Sequence, residues 1–216
     1  MAYDFTLSSF QSLSGSNTFA TGAPLTVAGW VNRKVVPASA QQVVVALSNI
    51  TSGSTNFFNL GSTQNGGINF IANVNGTAYS AFSETSPYGA NTWNHLCGVA
   101  RATNNRESYV NGTFRTNNFT NAVPIGINSI QIGARWGNTS NGQFMNGRLA
   151  EIGVWNIDLT SQEVASLAKG IACNKIRPQN LVFYAPLISN FQDLKGGRTL
   201  TPINNPTIFS HTRVYM

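Results

Sequence analysis

The sequence predicts an all-β protein in which two antiparallel sheets stack face to face. Nearly every apolar stretch of the 216-residue chain is short and alternates apolar with polar residues, as half-buried strands do. Glycine and asparagine separate these stretches, and charged residues make up only 9% of the chain, so Asn, Ser, Thr and Gly carry its polarity. We expect one domain over residues 1–216, with 171–216 a C-terminal strand and tail that completes or extends it.

Ten segments have the period-two pattern of strands. They are residues 25–31, 42–47, 56–60, 67–74, 78–82, 95–100, 107–110, 129–133, 148–155 and 181–187. So many short strands fit two stacked sheets.

Hairpin turns are specified at two Asn-Gly dipeptides, Asn75-Gly76 and Asn111-Gly112. Both central positions of such a turn need a positive φ, which Asn and Gly tolerate. The polar run 103–106 joins two further strands and predicts another hairpin. These turns together predict a meander of at least three strands.

One short helix is predicted near residues 160–169. Thr160 and Glu163 have the spacing of a capping box, in which the two side chains satisfy backbone amides at the start of a helix. Val164 and Leu167 then fall on one face, and Gly170 can take the left-handed conformation that ends a helix.

The charge balance suits an anionic partner, but not nucleic acid. Thirteen Lys and Arg against seven Asp and Glu give a net charge of +6. Arg33-Lys34 is the one adjacent basic pair, so no basic stripe follows a phosphate backbone. The start of the chain lacks the pattern of a signal peptide and no segment is long and apolar enough to span a membrane, so we expect synthesis in a cytosol without membrane insertion.

Cysteine usage favours free thiols. Cys97 and Cys173 could pair, but two cysteines in a chain of this length are no disulfide framework. No cofactor-binding motif is present, and we expect no cofactor.

Six blocks in a fixed order carry a resemblance to a known family. They are Leu25-Thr-Val-Ala-Gly-Trp30-Val31, Asn91-Thr-Trp93-Asn-His95, Tyr109-Val-Asn-Gly112, Ile130-Gln-Ile-Gly133, residues 147–156 and Leu159-Thr160-x-x-Glu163. Over roughly residues 25 to 170 the chain resembles the laminin G-like branch of the concanavalin A-like lectin/glucanase superfamily. The resemblance implies a two-sheet jelly-roll sandwich.

Several residues within these blocks have structural interpretations. We expect Trp30, Trp93 and Trp155 to fill the space between the sheets. The family pattern has an Asp-Glu pair where this chain has Ala150-Glu151, and with few acids to spare we expect no metal site there. Glu151 is expected to accept hydrogen bonds inside the sandwich.

The end of the chain resembles a narrower group. Ser166-Leu-Ala-Lys-Gly170, Ile176-Arg-Pro178, residues 181–187 and 210–215 are similar to laminin G-like virion proteins of tailed bacteriophages. That resemblance implies a capsid decoration or head or tail surface protein, assembled in the host cytoplasm and placed on the virion surface. Its partners would be major capsid or tail proteins, and further copies of itself.

Catalytic chemistry is not expected. Glycosidases of this superfamily place carboxylates close together on one strand, about 5 Å apart for a retaining mechanism. The seven acids include no pair two or four residues apart, and the two histidines, His95 and His211, lack a recognisable catalytic context. We therefore expect a binding protein rather than an enzyme.

The alternative function is a lectin-like protein that binds a cell-surface glycan. Sugar recognition needs an aromatic plane with amide and hydroxyl groups near it. Trp136, with Arg135 and Asn138, lies in a Gly- and Asn-rich loop after a strand and is the first candidate platform. Tyr88, in Ser86-Pro-Tyr-Gly89, is the second. The same aromatic rings could instead pack against a loop or a partner subunit.

Overall fold

The computed structural model describes residues 1–19, 22–35, 41–51, 55–84, 88–136 and 141–211. In chain order its strands are β1 (Ala2–Phe5), β2 (Ser12–Ser16), β3 (Leu25–Arg33), β4 (Gln42–Ser48), β5 (Phe57–Ser62), β6 (Ile68–Val74), β7 (Thr77–Ser83), β8 (Asn94–Ala102), β9 (Asn105–Val110), β10 (Thr113–Asn118), β11 (Ser129–Ile132), β12 (Arg135–Trp136), β13 (Asn141–Gly142), β14 (Gly147–Trp155), β15 (Leu181–Ala185), β16 (Thr201–Ile203) and β17 (Thr207–Phe209). One α-helix, α1, spans Ser161–Ala168 in this part of the chain.

Two large antiparallel sheets confirm the predicted all-β sandwich of the jelly-roll kind. The eight-stranded sheet has the order β10-β9-β8-β3-β14-β1-β17, with β15 also paired to β14. The seven-stranded sheet has the order β16-β2-β11-β4-β5-β6-β7, and β12 and β13 form a small hairpin. All the ladders are antiparallel within the described residues, which is the arrangement that short connections favour.

The main core lies between the two large sheets. Alternate residues of each strand face inward: Val27 and Val31 from the eight-stranded sheet meet Leu60 and Phe70 from the seven-stranded sheet. A second apolar cluster lies on the opposite side of the eight-stranded sheet, where α1 covers Trp155 and its neighbours.

The three tryptophans do not fill the space between the sheets, so that expectation is wrong. In β3 the inward positions are odd-numbered residues, which puts Trp30 on the outer side of the sheet. The ring centroids of Trp30 and His95 are 5.5 Å apart, and those of Trp93 and His211 are 4.2 Å apart. Trp155 is fully buried, but in the cluster beneath α1, where its Nε1 donates a hydrogen bond to the Ile176 carbonyl.

Local signals for turns and the helix are confirmed. Asn75-Gly76 and Asn111-Gly112 close hairpins with positive φ at all four residues. The Thr160 side chain accepts a hydrogen bond from the Glu163 amide, and the Glu163 carboxylate accepts one from the Thr160 amide. No helix in the described ranges is long and apolar enough to cross a membrane.

The two cysteines are unbridged. Cys97 and Cys173 are both buried free thiols in the cluster beneath α1. Burial in apolar surroundings raises the pKa of both thiols, which keeps them protonated and unreactive.

The C-terminal segment returns to both large sheets. β15 pairs with β14, β17 pairs with β1, and β16 pairs with β2. Phe183, Leu187 and Leu200 of this segment are buried in the main core.

Candidate functional site on the outer face of the seven-stranded sheet

The outer face of the seven-stranded sheet is polar where its central strands run. Phe58 and Leu60 of β5 face the main core, so Asn59 between them faces outward. The same alternation turns Asn69 and Asn73 of β6 outward. We use the name polar face for the surface formed by Ser48, Asn59, Asn69, Asn73 and Gln131.

The members of the polar face lie on four adjacent strands, with apolar residues between them. Gln131 of β11 pairs with Ala46 of β4, which pairs with Asn59 of β5 on its other side. Ser48 pairs with Phe57, which pairs with Asn73. The polar side chains are therefore diagonal neighbours across the sheet, and Ala46 and Phe57 lie between the members of each row.

Most polar oxygens of this surface are buried without a hydrogen-bond donor. Ser48, Asn59, Asn69 and Gln131 are each at most 3% exposed. Their Oγ, Oδ1, Oδ1 and Oε1 atoms have no partner among the described residues. Because leaving a buried polar group unpaired costs roughly 1–3 kcal/mol, we expect these four oxygens to be bonded by water or by a ligand.

The β12–β13 hairpin is joined to β4 at one end of the polar face. The Gly133 amide donates to the Val44 carbonyl (3.0 Å), and the Val43 amide donates to the Gln143 carbonyl (3.1 Å). These bonds fix both ends of the hairpin to one strand of the polar face.

Arg135 of this hairpin reaches over the polar face. Its Cζ lies 4.4 Å from the ring centroid of Phe57, an outward-facing residue between Ser48 and Asn73. Its Nε donates a hydrogen bond to Gln143 Oε1 (3.0 Å). Burial lowers the pKa of the guanidinium, but arginine remains charged at physiological pH.

Trp136 is next to Arg135 and is partly buried. Its Nε1 is shielded from solvent and has no acceptor among the described residues. The structure therefore brings one predicted site residue, Arg135, over the polar face, and Trp136 follows it in the same strand. Asn138, the third, lies outside the described residues.

Tyr88 is not the exposed aromatic platform that the sequence suggested. Its side chain is 4% exposed, and the Arg33 guanidinium covers its ring at 4.0 Å. Arg33 in turn donates from Nη1 to the Gly66 carbonyl, which also accepts from the Tyr88 amide. The ring has no free face to offer a ligand.

Residues 7–165 match the concanavalin A-like lectin/glucanases superfamily. The chain belongs to this superfamily. The match confirms the family resemblance and covers the strands that carry the polar face.

Solved structures of the same fold come from several kinds of protein. This superfamily member is similar to a heptameric SAP-like pentraxin from Limulus polyphemus, at 16% identity, with 95% of this chain and 93% of that one covered and a TM-score of 0.66. A putative carbohydrate binding protein from Bacteroides ovatus has 17% identity and a TM-score of 0.67, with 99% of this chain and 61% of that one covered. The CBM40 of the Ruminococcus gnavus IT-sialidase, solved with α2,3-sialyllactose, has 16% identity and a TM-score of 0.58 over 69% of this chain and 83% of that one.

No curated protein matches this superfamily member at a significant level. At these identities the structural neighbours establish the fold alone.

The other site expectations concern acids and metals. The Glu151 carboxylate is buried and accepts a hydrogen bond from the Tyr184 hydroxyl (2.6 Å), as expected, but Tyr184 belongs to the cluster beneath α1 and not to the core between the sheets. Among the described residues, no three His, Cys, Asp or Glu side chains are grouped to hold a metal ion.

Sequence reasoning missed the polar face although a signal for it exists. Asn69 and Asn73 stand at alternate positions to Phe70 and Ala72, and Asn59 stands between Phe58 and Leu60. Asparagine is disfavoured in strands, so repeated asparagine on one side of several strands indicates a polar surface rather than chance. The sequence prediction considered aromatic residues in loops and did not consider asparagines within strands.

Proposed function

We propose that this protein is a non-enzymatic lectin that binds a glycan on the polar face, beside Arg135 and Trp136. The observation that carries the proposal is the set of buried oxygens on Ser48, Asn59, Asn69 and Gln131 that lack donors. A sugar presents many hydroxyl groups, each of which can donate to such an oxygen and accept from an arginine or indole N–H.

The structural neighbours support this proposal over other functions of the fold. Two of the three proteins compared above bear names that refer to carbohydrate. The charge distribution supports binding without cleavage, because none of the seven acids lies on β4, β5, β6 or β11. Glycoside hydrolysis of the common kind needs a carboxylate on each side of the scissile bond.

The test is a glycan array followed by calorimetry on the purified chain. Wild type is expected to bind a defined subset of glycans, and Asn59→Ala to weaken that binding about tenfold, the value of roughly one hydrogen bond to a buried group. Asn104→Ala, an exposed asparagine in the turn between β8 and β9, is the matched control and should bind as wild type does.

A stability measurement separates a binding role from a structural one. Since Asn59 Oδ1 has no partner among the described residues, Asn59→Ala should leave the free energy of unfolding within about 1 kcal/mol of wild type or raise it. No binding by wild type across the array, or full binding by Asn59→Ala, would remove the proposal. Release of a shortened glycan during incubation, detected by mass spectrometry, would show cleavage and contradict the non-enzymatic part.

A second proposal concerns where the protein acts. Similarity of the C-terminal motifs to phage laminin G-like proteins favours a place on a virion surface, as a decoration or a head or tail surface protein in contact with capsid or tail proteins and with copies of itself. Mass spectrometry of purified particles from the host tests the location, and light scattering on the purified chain tests self-association. Particles that lack the chain would remove the virion proposal and leave the lectin proposal standing.

A further inference from the structure

Given the proposed lectin function, we infer that the ligand is an acidic glycan whose carboxylate binds end-on to the two terminal nitrogens of Arg135. Three features of the molecule support this ligand: the partners of its acidic side chains, the contacts that hold Arg135, and the difference in burial between Arg135 and Arg33.

All seven acids of the chain are engaged away from Arg135. Five form ion pairs, in which Asp4, Glu107, Asp158, Glu163 and Asp193 meet Lys34, Arg101, Arg148, Arg177 and Arg198. The other two accept hydrogen bonds from neutral groups, Glu84 from Asn65 and Glu151 from Tyr184. Because every Asp and Glu of the sequence lies in the described ranges, no side-chain carboxylate of the chain is left as a counter-ion for Arg135.

Arg135 is held in one orientation by neutral contacts. The Phe57 ring supports the flat side of the guanidinium, and Gln143 takes the hydrogen of Nε. This leaves Nη1 and Nη2, whose parallel N–H groups match the two oxygens of a carboxylate. Since the side chain is already ordered, a ligand does not bear the full entropy cost of fixing it.

Arg33 also lacks an acidic partner, but it cannot serve the same purpose. It is 1% exposed and is enclosed by the Tyr88 ring and Gly66. Arg135 is only partly buried and stands beside the unpaired oxygens of the polar face. The carboxylate of a sugar acid can therefore meet a fixed positive charge at the polar face.

Matched pairs of glycans test the inference by calorimetry. The pairs are α2,3-sialyllactose with lactose, and cellobiouronic acid with cellobiose, at fixed ionic strength. Wild type is expected to bind the acidic member of at least one pair about tenfold or more tightly, as a charge-assisted bidentate contact provides. Arg135→Met should bring the two members of that pair to equal affinity, and Arg135→Lys should keep only part of the difference.

A charge-matched control separates a local contact from net charge. Lys175→Met removes the same charge at an exposed position and should keep the preference of wild type. A 3-O-sulfated lactose included in the series distinguishes a carboxylate from a sulfate ester. Tighter binding of the sulfated glycan than of either carboxylated one would overturn the assignment of a carboxylate.

The failure of this inference differs from the failure of the lectin proposal. Equal binding of acidic and neutral members by wild type, or an equal loss for both in Arg135→Met, overturns the acidic-glycan inference while glycan binding stands. Absence of binding to every glycan tested removes both.

Discussion

Glu151 is a buried carboxyl at a change of partner along β14. Residues before it pair with β1 and residues after it pair with β15, and its own φ is +54°. Burial raises the pKa of Glu151 to about 7, although the Tyr184 hydrogen bond and the N-terminal amine oppose the shift. A carboxyl in the unfolded chain titrates near 4.3, about the usual value.

The raised pKa of Glu151 predicts a fall in stability with rising pH. Between roughly pH 4.5 and 7 the folded chain binds more protons at this residue than the unfolded chain does. Its contribution is therefore complete at low pH and is lost as the pH rises to 7, by about 3 kcal/mol. In Glu151→Gln this contribution should be absent, so urea denaturation at several pH values should give a difference from wild type that changes by about that amount.

Tyr184→Phe provides the control for this pH dependence. It removes a hydrogen bond that favours the ionised carboxylate, so the pKa of Glu151 should rise and the loss of stability should extend to higher pH. Parallel pH profiles for wild type and Glu151→Gln would contradict the assignment.

The Tyr88 hydroxyl is buried near Ser62 and Arg33 but makes no hydrogen bond of normal geometry to a described residue. Burial raises the pKa of this phenol to about 12, so it stays neutral. We predict that Tyr88→Phe leaves the free energy of unfolding unchanged or raises it by up to about 1 kcal/mol, because no hydrogen bond is lost. Tyr88→Ala should lower it by about 3–5 kcal/mol, since the ring supports Arg33 in the interior. Thermal and urea unfolding measure both, and a marked destabilisation by Tyr88→Phe would contradict the structure.

The burial of Tyr88 shows which residue properties the sequence could not reveal. A Ser-Pro-Tyr-Gly segment has loop composition, and loops are usually at the surface. Tyr88 is buried because Arg33 and Gly66, which are distant in sequence, close over it. In contrast, the capping box of α1 and the two Asn-Gly turns depend on residues within four positions of each other, and all of them could be predicted.

The two Asn-Gly turns have different surroundings. A Cβ at Gly76 would meet no atom within 4 Å, whereas one at Gly112 would lie 2.9 Å from the Ala165 Cα of α1. Both glycines have a positive φ, +89° and +77°. Gly76→Ala therefore introduces backbone strain alone, and Gly112→Ala adds a steric conflict with the helix.

We predict that Gly76→Ala lowers the free energy of unfolding by about 1–2 kcal/mol, the cost of a left-handed alanine. Gly112→Ala should lower the free energy of unfolding by about 1–3 kcal/mol more than Gly76→Ala does, because α1 must move away from the turn. Urea denaturation of the two variants measures the difference. An equal loss of stability in the two variants would show that α1 does not contact the turn at Gly112.

The long apolar strands were predictable, whereas the short β1 (Ala-Tyr-Asp-Phe) was missed despite its apolar residues. β4, β6 and β14 alternate or run apolar and were predicted within one residue at each end. β2 (Ser-Leu-Ser-Gly-Ser) and β10 (Thr-Phe-Arg-Thr-Asn-Asn) were missed, because their backbone pairing with β11 and β9 decides their conformation and their side chains carry little signal. The polar face was missed for a related reason: it consists of side chains from four strands that only the ladder brings together.

The two ends of the chain complete both large sheets. β1 joins β14 to β17, and β2 joins β11 to β16, so the first and last parts of the chain are neighbours in both large sheets. Most of the pairing partners of the C-terminal segment are therefore remote in sequence. If residues 171–216 complete the domain, their removal should prevent cooperative folding. If they only extend it, the rest of the chain should still fold.

We predict that a chain of residues 1–180 does not unfold cooperatively. It lacks Phe183, Leu187 and Leu200 of the main core, and each buried side chain of this size contributes about 1.5–3 kcal/mol. It also exposes the edges of β14, β1 and β2, and the summed loss is comparable to a total stability of about 5–15 kcal/mol. Calorimetry should show no sharp transition, while Ile208→Ser, at a 55% exposed position of β17, should melt as wild type does. A cooperative transition in 1–180 would mean that the segment extends a core which is already complete without it.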